Sequence, residues 1–224
     1  MCKNCINYMK NKFVQFWMEL FFKPTLFYKK RLRNAHKEPA YFNFVLIVFG
    51  IGYGINRMDS QLIKIDMRGD LLKFGFLNNW FVYWLIVIFG GLIGGYFTYL
   101  IGGWFYDVRI RWSKGTRDLN KSRYMYLYSG VVFYIVVMIE TIIAMFFYRH
   151  PYSTSEVNTV FDISSSIILL FFIFYSIYIS FKGVRSITNA EKNRSILWFI
   201  VLPIIYYVIV FYVYFFLLLK NIMY

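Results

Sequence analysis

The side chain with the clearest chemical potential is Glu140, a carboxylate inside a long run of apolar residues. It precedes Arg149 by nine residues, which corresponds to roughly 13 Å of helix. A carboxylate at that depth either binds a cation or relays a proton in a transporter, or it accepts a structural hydrogen bond from a Ser, Thr or Tyr of a neighbouring helix. Both interpretations stay open. We expect no second charge within the apolar runs to complete a relay.

Basic residues are concentrated in the gaps between the apolar runs and in the N-terminal arm. Such cations suit anionic phospholipid headgroups or an acidic protein partner, although the charge that sets membrane topology leaves the same pattern. Nucleic acid is not expected as a partner, because the cations separate apolar runs instead of forming a basic soluble domain. The candidates for lipid or partner contact are Lys29, Lys30, Arg31, Arg33, Arg109, Arg111, Arg117 and Arg185.

The elements that must position these residues are apolar helices long enough to cross a bilayer. Of the 224 residues, 59% are hydrophobic and 16% are charged, with a mean hydropathy of +0.51. These are too few charges for the surface of an ordinary water-soluble domain. About 20 apolar residues in a helix cross the hydrocarbon core. The sequence therefore predicts an all-α polytopic membrane protein with about five such helices, at 40–56 (near the short limit), 80–106, 124–148, 160–181 and 196–219.

The distribution of Lys and Arg orients the predicted bundle. Of these 25 residues, 19 lie in the arm at 1–39 and in the gaps at 107–123 and 182–195. By the positive-inside rule the N-terminus is cytoplasmic and the C-terminus is extracytoplasmic or lumenal. The chain then divides into a basic arm at 1–39 and a five-helix membrane domain at 40–224. In a prokaryote, the expected location is the plasma or inner membrane.

Cysteine and histidine are too few for a metal site. Cys2 and Cys5 form a lone CxxC, and a zinc site needs two further ligands. On this topology His150 lies across the membrane from His36, which leaves at most three such ligands on one side. No Ser-His-Asp set, pair of catalytic carboxylates or nucleotide-binding loop is present in the sequence. We therefore expect no metal, no cofactor and no enzymatic activity.

Apolar residues in the arm recur at the spacing of one helix face. They fall at i, i+3, i+4, i+7 and i+8, and Pro24 follows, which predicts an amphipathic helix. Together with the basic cluster after it, such a helix suits the surface of the cytoplasmic leaflet. The alternative is a helix packed on the protein's own cytoplasmic face. The predicted membrane-surface residues are Phe13, Phe16, Trp17, Leu20 and Phe21.

The apolar run at 80–106 is rich in glycine. At 100° per residue, four of its small residues project along one narrow stripe, which lets another helix approach the backbone closely. The stripe predicts a helix-packing surface, whose partner is either another helix of the same chain or a second copy of it. Its residues are Gly91, Gly95, Thr98 and Gly102.

Three segments distributed along the chain carry a family resemblance. The aromatic segment FVQFWMELFFKPTLFYKKRL precedes the first predicted helix, Gly102 and Gly103 close the second, and FKGVRSITNAEKNRSILWFIVLP joins the last two. In these features the chain resembles the Yip family of Ypt/Rab-interacting integral membrane proteins. The resemblance implies a polytopic scaffold or adaptor that engages small GTPases, shapes membranes or assists vesicle traffic. The short arm is similar to the prokaryotic members, for which a GTPase partner is not implied.

From these features we expect a non-enzymatic membrane scaffold. It would engage membrane lipids with anionic headgroups, or a membrane or cytoplasmic protein partner, through its cytoplasmic basic face. The alternative is a small transporter or lipid-translocating protein that uses Glu140 and the glycine-rich helix. The sequence leaves open whether the chain forms a homo-oligomer.

Overall fold

The computed structural model describes residues 3–32, 41–69, 75–152 and 159–222, with side chains for all of these except 3–11, 159 and 213–222. Every regular element in these ranges is helical. A 3-10 turn lies at Gly75–Leu77, and a π-helical turn lies at Leu197–Val201. The α-helices are α1 (Lys3–Phe22), α2 (Pro24–Arg31), α3 (Phe42–Met67), α4 (Trp80–Trp112), α5 (Leu119–Phe147), α6 (Thr159–Ile187), α7 (Lys192–Ile196) and α8 (Leu202–Ile222).

Among the described residues, four helical segments are long and apolar enough to cross a membrane: Trp80–Trp112, Leu119–Phe147, Val160–Ile187 and Lys192–Tyr212. The prediction of an all-helical, multi-pass membrane protein is confirmed on this basis. The first predicted span, which corresponds to α3, is not among them. Its apolar run ends at Ile55 and polar and charged residues follow within the same helix, so the count of five spans is not confirmed.

The outer faces of the candidate spans expose large apolar side chains. Phe146 is 85% exposed, Phe89 66% and Ile167 63%. A soluble protein seldom exposes a continuous apolar surface of this kind, because it would associate with other apolar surfaces in water. Lipid is the environment that such helices require.

Polar residues fix the starts of the two central spans. The side chain of Asn79 accepts a hydrogen bond from the backbone N–H of Phe81, and that of Asp118 accepts one from Lys121. Each bond satisfies one of the N–H groups that a helix N-terminus leaves unpaired, and a cap of this type contributes about 1 kcal/mol. These caps set where α4 and α5 begin.

The small residues of α4 pack against α3 and α5 of the same chain. A Cβ atom at Gly91 would lie 2.6 Å from the carbonyl oxygen of Gly50, and one at Gly95 would lie 2.5 Å from the Gly50 Cα. Only glycine permits this approach of the α3 and α4 backbones. Thr98 lies near the hydroxyl of Tyr53 in α3, and Gly102 lies against the ring of Tyr126 in α5.

The main core lies where α1 and α2 pack on α5 and α6. The rings of Phe16 and Phe27 meet the ring of Tyr128 edge to face, at centroid distances of 5.9 Å and 5.3 Å. Tyr28 is fully buried and lies against Gly183 of α6. The N-terminal arm is therefore part of the folded bundle over the residues described.

Candidate functional site

The two loops whose flanking helix ends carry many of the basic residues are hydrogen-bonded to each other. The backbone N–H of Thr116 donates to the carbonyl of Thr188 at 2.7 Å, and that of Glu191 donates to the carbonyl of Ser113 at 2.9 Å. Ser113 and Thr116 lie between α4 and α5, and Thr188 and Glu191 lie between α6 and α7. These bonds join the α4–α5 loop and the α6–α7 loop into one surface.

We call the exposed cations of this surface and of α2 the basic platform. Helix α2 belongs to it because Tyr28 packs on Gly183, two residues before Arg185 on α6. The platform thus combines three segments that are far apart in sequence. Its members are Lys29, Lys30, Arg111, Lys114, Arg117, Arg185, Lys192 and Arg194.

The platform cations differ in how far the protein already engages them. Arg117 pairs with the buried Asp107 at 2.7 Å, and Arg185 donates to the carbonyl of Ala190 at 2.5 Å. Lys29, Arg111 and Lys192 make no salt bridge with the part of the chain that the structure describes. These three side chains are the most available for an external anion.

Glu19 of α1 binds two further predicted contact residues to the protein. Lys30 Nζ donates to its Oε1 at 2.9 Å, and Arg31 Nη2 donates to its Oε2 at 2.9 Å. Burial acts to raise the pKa of Glu19, but the hydrogen bonds and charges of Lys30 and Arg31 outweigh it and hold the pKa below its usual value. Arg31 therefore fastens α1 to α2. Arg33, which was predicted with it, lies outside the described residues.

The apolar side of α1 is divided between the protein and its surroundings. Phe16 and Leu20 are fully buried in the main core, and the other three predicted surface residues are partly buried. Beside them lies a second apolar stripe, at i, i+4 and i+8, that no described element covers. This stripe consists of Val14, Met18 and Phe22, which are 56%, 55% and 75% exposed.

Arg109 was predicted as a headgroup or partner contact, and the structure places it within α4, packed against α7–α8 and apart from the exposed cations. Its Nε donates to the carbonyl of Trp198 at 2.9 Å, and its Nη2 donates to the same oxygen. The guanidinium also lies 4.3 Å from the centre of the Phe199 ring. Arg109 is therefore not a member of the basic platform.

Pro203 explains why the carbonyl of Trp198 needs a donor from outside its own helix. In the π-helical turn, the N–H of Leu202 donates to the carbonyl of Leu197, five residues earlier. The same register aims residue 203 at the Trp198 carbonyl, but proline has no N–H. Arg109 supplies the missing hydrogen bond, as membrane helices interrupted by proline require.

A second polar site, which we call the acidic pocket, lies at the opposite end of the bundle. It is a cavity of about 230 Å³ whose described lining includes Asp59, Glu140 and Asp162 and no lysine or arginine. Each carboxylate accepts a hydrogen bond from a neutral hydroxyl, donated respectively by Tyr83 at 2.7 Å, Ser165 at 3.0 Å and Tyr148 at 2.5 Å.

The acidic pocket contradicts the expectation of a single charge in the apolar runs, and it places Glu140 apart from the glycine stripe. The expectation that no second charge accompanies Glu140 in the apolar runs is wrong, because Asp162 lies in the first turn of α6. The bond from Ser165 is the type of contact that a structural role for Glu140 requires. Glycines of the α4 stripe do not line the pocket in the described structure, so Glu140 and the stripe do not share one cavity.

Most of this arrangement of an N-terminal helical hairpin, apolar spans and joined loops lies within a segment that matches a known protein family. The profile of the Yip1 domain matches residues 18–214. The chain belongs to the Yip1 domain family. The match covers the basic platform, Arg109 and the acidic pocket, and it confirms the family resemblance seen in the sequence. No curated protein and no solved structure matches the chain.

Sequence reasoning missed two features of this Yip1 domain. It did not find that the two basic loops bond to each other, since no local pattern encodes that contact. It assigned Arg109 to a loop because the apolar run was ended at residue 106, whereas α4 continues to Trp112. The signal that pointed to Arg109 was Pro203, whose missing N–H requires a donor on a neighbouring helix.

Proposed function

We propose that this Yip1 domain is a non-enzymatic membrane scaffold or adaptor. Its basic platform faces the cytoplasm and engages anionic lipid headgroups or an acidic protein partner. The observation that carries the proposal is the pair of backbone hydrogen bonds joining the two basic loops, through Thr116 and Glu191. They convert two separate charged loops into one preformed surface.

A preformed surface matters because ordering flexible groups reduces affinity. Each side chain or loop segment that must be immobilised on binding opposes association. The platform cations project from helix ends and from loops that already hold each other in place. Lys29 and Arg111 are exposed members that an acidic partner would reach first.

Helix α1 supports the membrane side of the proposal. At 100° per residue, Val14, Met18 and Phe22 lie between the core-facing stripe and the polar face that carries Lys12 and Lys23. A helix with one face on the bundle, one apolar face exposed and one basic face suits the lipid–water boundary. We propose that the exposed stripe enters the headgroup layer beside the bundle.

Affinity capture from gentle detergent tests the platform directly. The double variant Lys29→Glu, Arg111→Glu reverses two exposed platform charges. Its matched control, Lys64→Glu with Arg68→Glu, reverses two exposed charges at the far end of α3. If the platform binds an acidic partner, the platform variant loses proteins that the wild type and the control both retain, and the wild-type capture falls with rising salt.

The opposite pattern would overturn the proposal of a protein partner. If both double variants retain the same proteins as the wild type, the platform is not the surface that binds them. Circular dichroism of each purified variant establishes that it is folded before capture. Both pairs of charges are exposed, so we expect each variant to keep the wild-type helix content.

A further inference from the structure

A cavity of about 630 Å³ lies between α8 and the helices α3, α4, α5 and α6. We call it the α8 cavity. Its volume falls in the range of roughly 300–1,000 Å³ that is typical of sites for small ligands. Residues 126–134 of α5 line one side and residues 202–210 of α8 line the other, which gives each wall a length of about 12 Å along the helix axis.

The walls of the α8 cavity suit an apolar chain. Many of the lining residues are aromatic or aliphatic, among them Phe105, Phe133 and Leu202. The serine hydroxyls near its base are already paired, because Tyr106 hydrogen-bonds to Ser129 at 3.2 Å and to Ser180 at 2.6 Å. Paired hydroxyls of this kind leave little to hold water.

One charged side chain, Arg109, belongs to the described lining. Its contact with the Trp198 carbonyl occupies Nε and one Nη2 hydrogen, whereas a guanidinium has five N–H donors. Arg109 makes no salt bridge with any residue that the structure describes. A cation inside a membrane-spanning helix is costly without a counter-ion, which makes such a residue a candidate for a functional site.

Two tryptophans place Arg109 near the membrane surface at the platform end. The rings of Trp112 and Trp198 are 4.4 Å apart, and both residues line the cavity. Tryptophan favours the headgroup layer, because its ring is apolar and its N–H is polar. Arg109 lies one helical turn before Trp112, so it stands at the depth where a phospholipid phosphate meets its acyl chains.

We propose that the α8 cavity binds one anionic phospholipid from the leaflet on the platform side. An acyl chain occupies the aromatic walls, and the phosphate pairs with Arg109. This site does not rest on the proposed scaffold function, because Arg109 is not part of the basic platform. The cation in the described lining favours this occupant over an apolar protein helix, which would leave Arg109 without an anion.

Native mass spectrometry of the purified full chain tests the site. The protein is reconstituted with phosphatidylglycerol or with phosphatidylcholine of identical acyl chains, then extracted and measured for retained lipid. We expect one phosphatidylglycerol per chain, and a preference of about tenfold over phosphatidylcholine, because the phosphate of phosphatidylcholine is accompanied by a choline cation that Arg109 repels.

Three variants separate the cavity from lipid bound elsewhere on the bundle. Ser176→Trp fills the cavity from α6, and Ser164→Trp adds the same bulk at an exposed position of α6 that does not line it. Arg109→Gln keeps a donor for the Trp198 carbonyl but removes the charge. We expect Ser176→Trp to lose the lipid at least tenfold, Ser164→Trp to keep it, and Arg109→Gln to bind both lipids within about twofold of each other.

Several results would overturn the assignment. They are equal retention of the two lipids by the wild type, an unchanged preference in Arg109→Gln, or unchanged retention in Ser176→Trp. A lipid-free dimer would identify a second copy of the chain as the occupant. If Ser176→Trp does not fold, the Arg109→Gln result decides alone. The platform variant distinguishes this site from the proposed scaffold surface. If that variant loses the captured proteins but retains the lipid, the lipid site stands and is separate from the scaffold surface.

Discussion

Glu19 is the residue that turns a charged N-terminal segment into part of the fold. Its carboxylate is almost fully buried, with 7% side-chain exposure, and it receives bonds from Lys30 and Arg31. A basic cluster seen in sequence alone looks uniformly available to lipid. The structure distinguishes Lys29, which is exposed, from Arg31, which is committed to Glu19.

We predict that Glu19→Gln destabilises the protein by about 1–3 kcal/mol, because it leaves Arg31 without its buried counter-charge. Glu191→Gln is the matched control, since Glu191 is 44% exposed and its pairs with Lys114 and Arg194 are 3.3 Å long. Exposed pairs contribute at most about 1 kcal/mol. Thermal unfolding of both variants in the same detergent measures the difference, and equal shifts would contradict the role given to Glu19.

The same residue predicts a pH dependence. Because the folded state holds the pKa of Glu19 below its usual value, its contribution is complete above the unfolded pKa of about 4.3 and is lost as the pH falls through the lower folded pKa. The wild type is therefore expected to lose its advantage over Glu19→Gln on acidification below about pH 4.3. A stability difference that stays constant from neutral pH to pH 3 would argue against this linkage.

At the scale of helices, the contact between α3 and α4 depends on particular glycines. Gly91 faces the α3 backbone, whereas Gly90, its neighbour, would place a Cβ atom 4.0 Å from the nearest atom, in the side chain of Ile86. The number of glycines in the sequence does not tell which of the two the packing requires, although only Gly91 belongs to the predicted stripe. The two glycines differ in the direction in which a Cβ atom on each would point.

We predict opposite effects for two alanine variants on α4. Gly91→Ala forces α3 and α4 apart and destabilises the protein by about 1–3 kcal/mol. Gly90→Ala leaves the packing unchanged and stabilises the helix by roughly 0.5–1 kcal/mol through lower chain entropy. Unfolding followed by circular dichroism compares them, and a Gly91→Ala variant as stable as Gly90→Ala would exclude the close packing.

The periodicity of apolar residues in α1 predicts the helix but not which of these residues are buried. The spacing of its aromatic residues predicted an amphipathic helix, and the structure contains a helix there that ends at Phe22. The apolar arc is wider than one contact surface requires, so hydrophobicity alone could not divide it. Tertiary packing makes that division by placing Phe16 and Leu20 in the core and leaving Met18 exposed.

We predict that the exposed stripe of α1 lies in lipid. A polarity-sensitive fluorophore on Met18→Cys should be quenched by lipids brominated along the acyl chain, and the same probe on Gln15→Cys should be quenched less, because Gln15 lies on the polar face. Both positions are exposed, and Cys2 and Cys5 are replaced by serine in each protein. Quenching at Met18→Cys that is weak and no stronger than at Gln15→Cys would place the stripe in water.

Over the whole molecule, charge is separated along the bundle. The basic platform forms one end, and the acidic pocket with Asp59, Glu140 and Asp162 forms the other. Composition and the spacing of apolar runs predicted the helical membrane class, and three segments along the chain carried the resemblance to the family. They could not predict the acidic pocket, because its three carboxylates come from three helices and meet only through the packing of α3, α5 and α6.

The central claim is that the three segments of the basic platform share one side of the membrane and that this side is cytoplasmic. Single cysteines at Lys29, Arg111 and Lys192 in a chain without Cys2 and Cys5 test it with a membrane-impermeant thiol reagent on intact cells. If the platform is cytoplasmic, these three positions are labelled only after the membrane is permeabilised, whereas Lys64→Cys is labelled in intact cells. Labelling of any platform position from outside, or a division of the three between the two sides, would contradict the account.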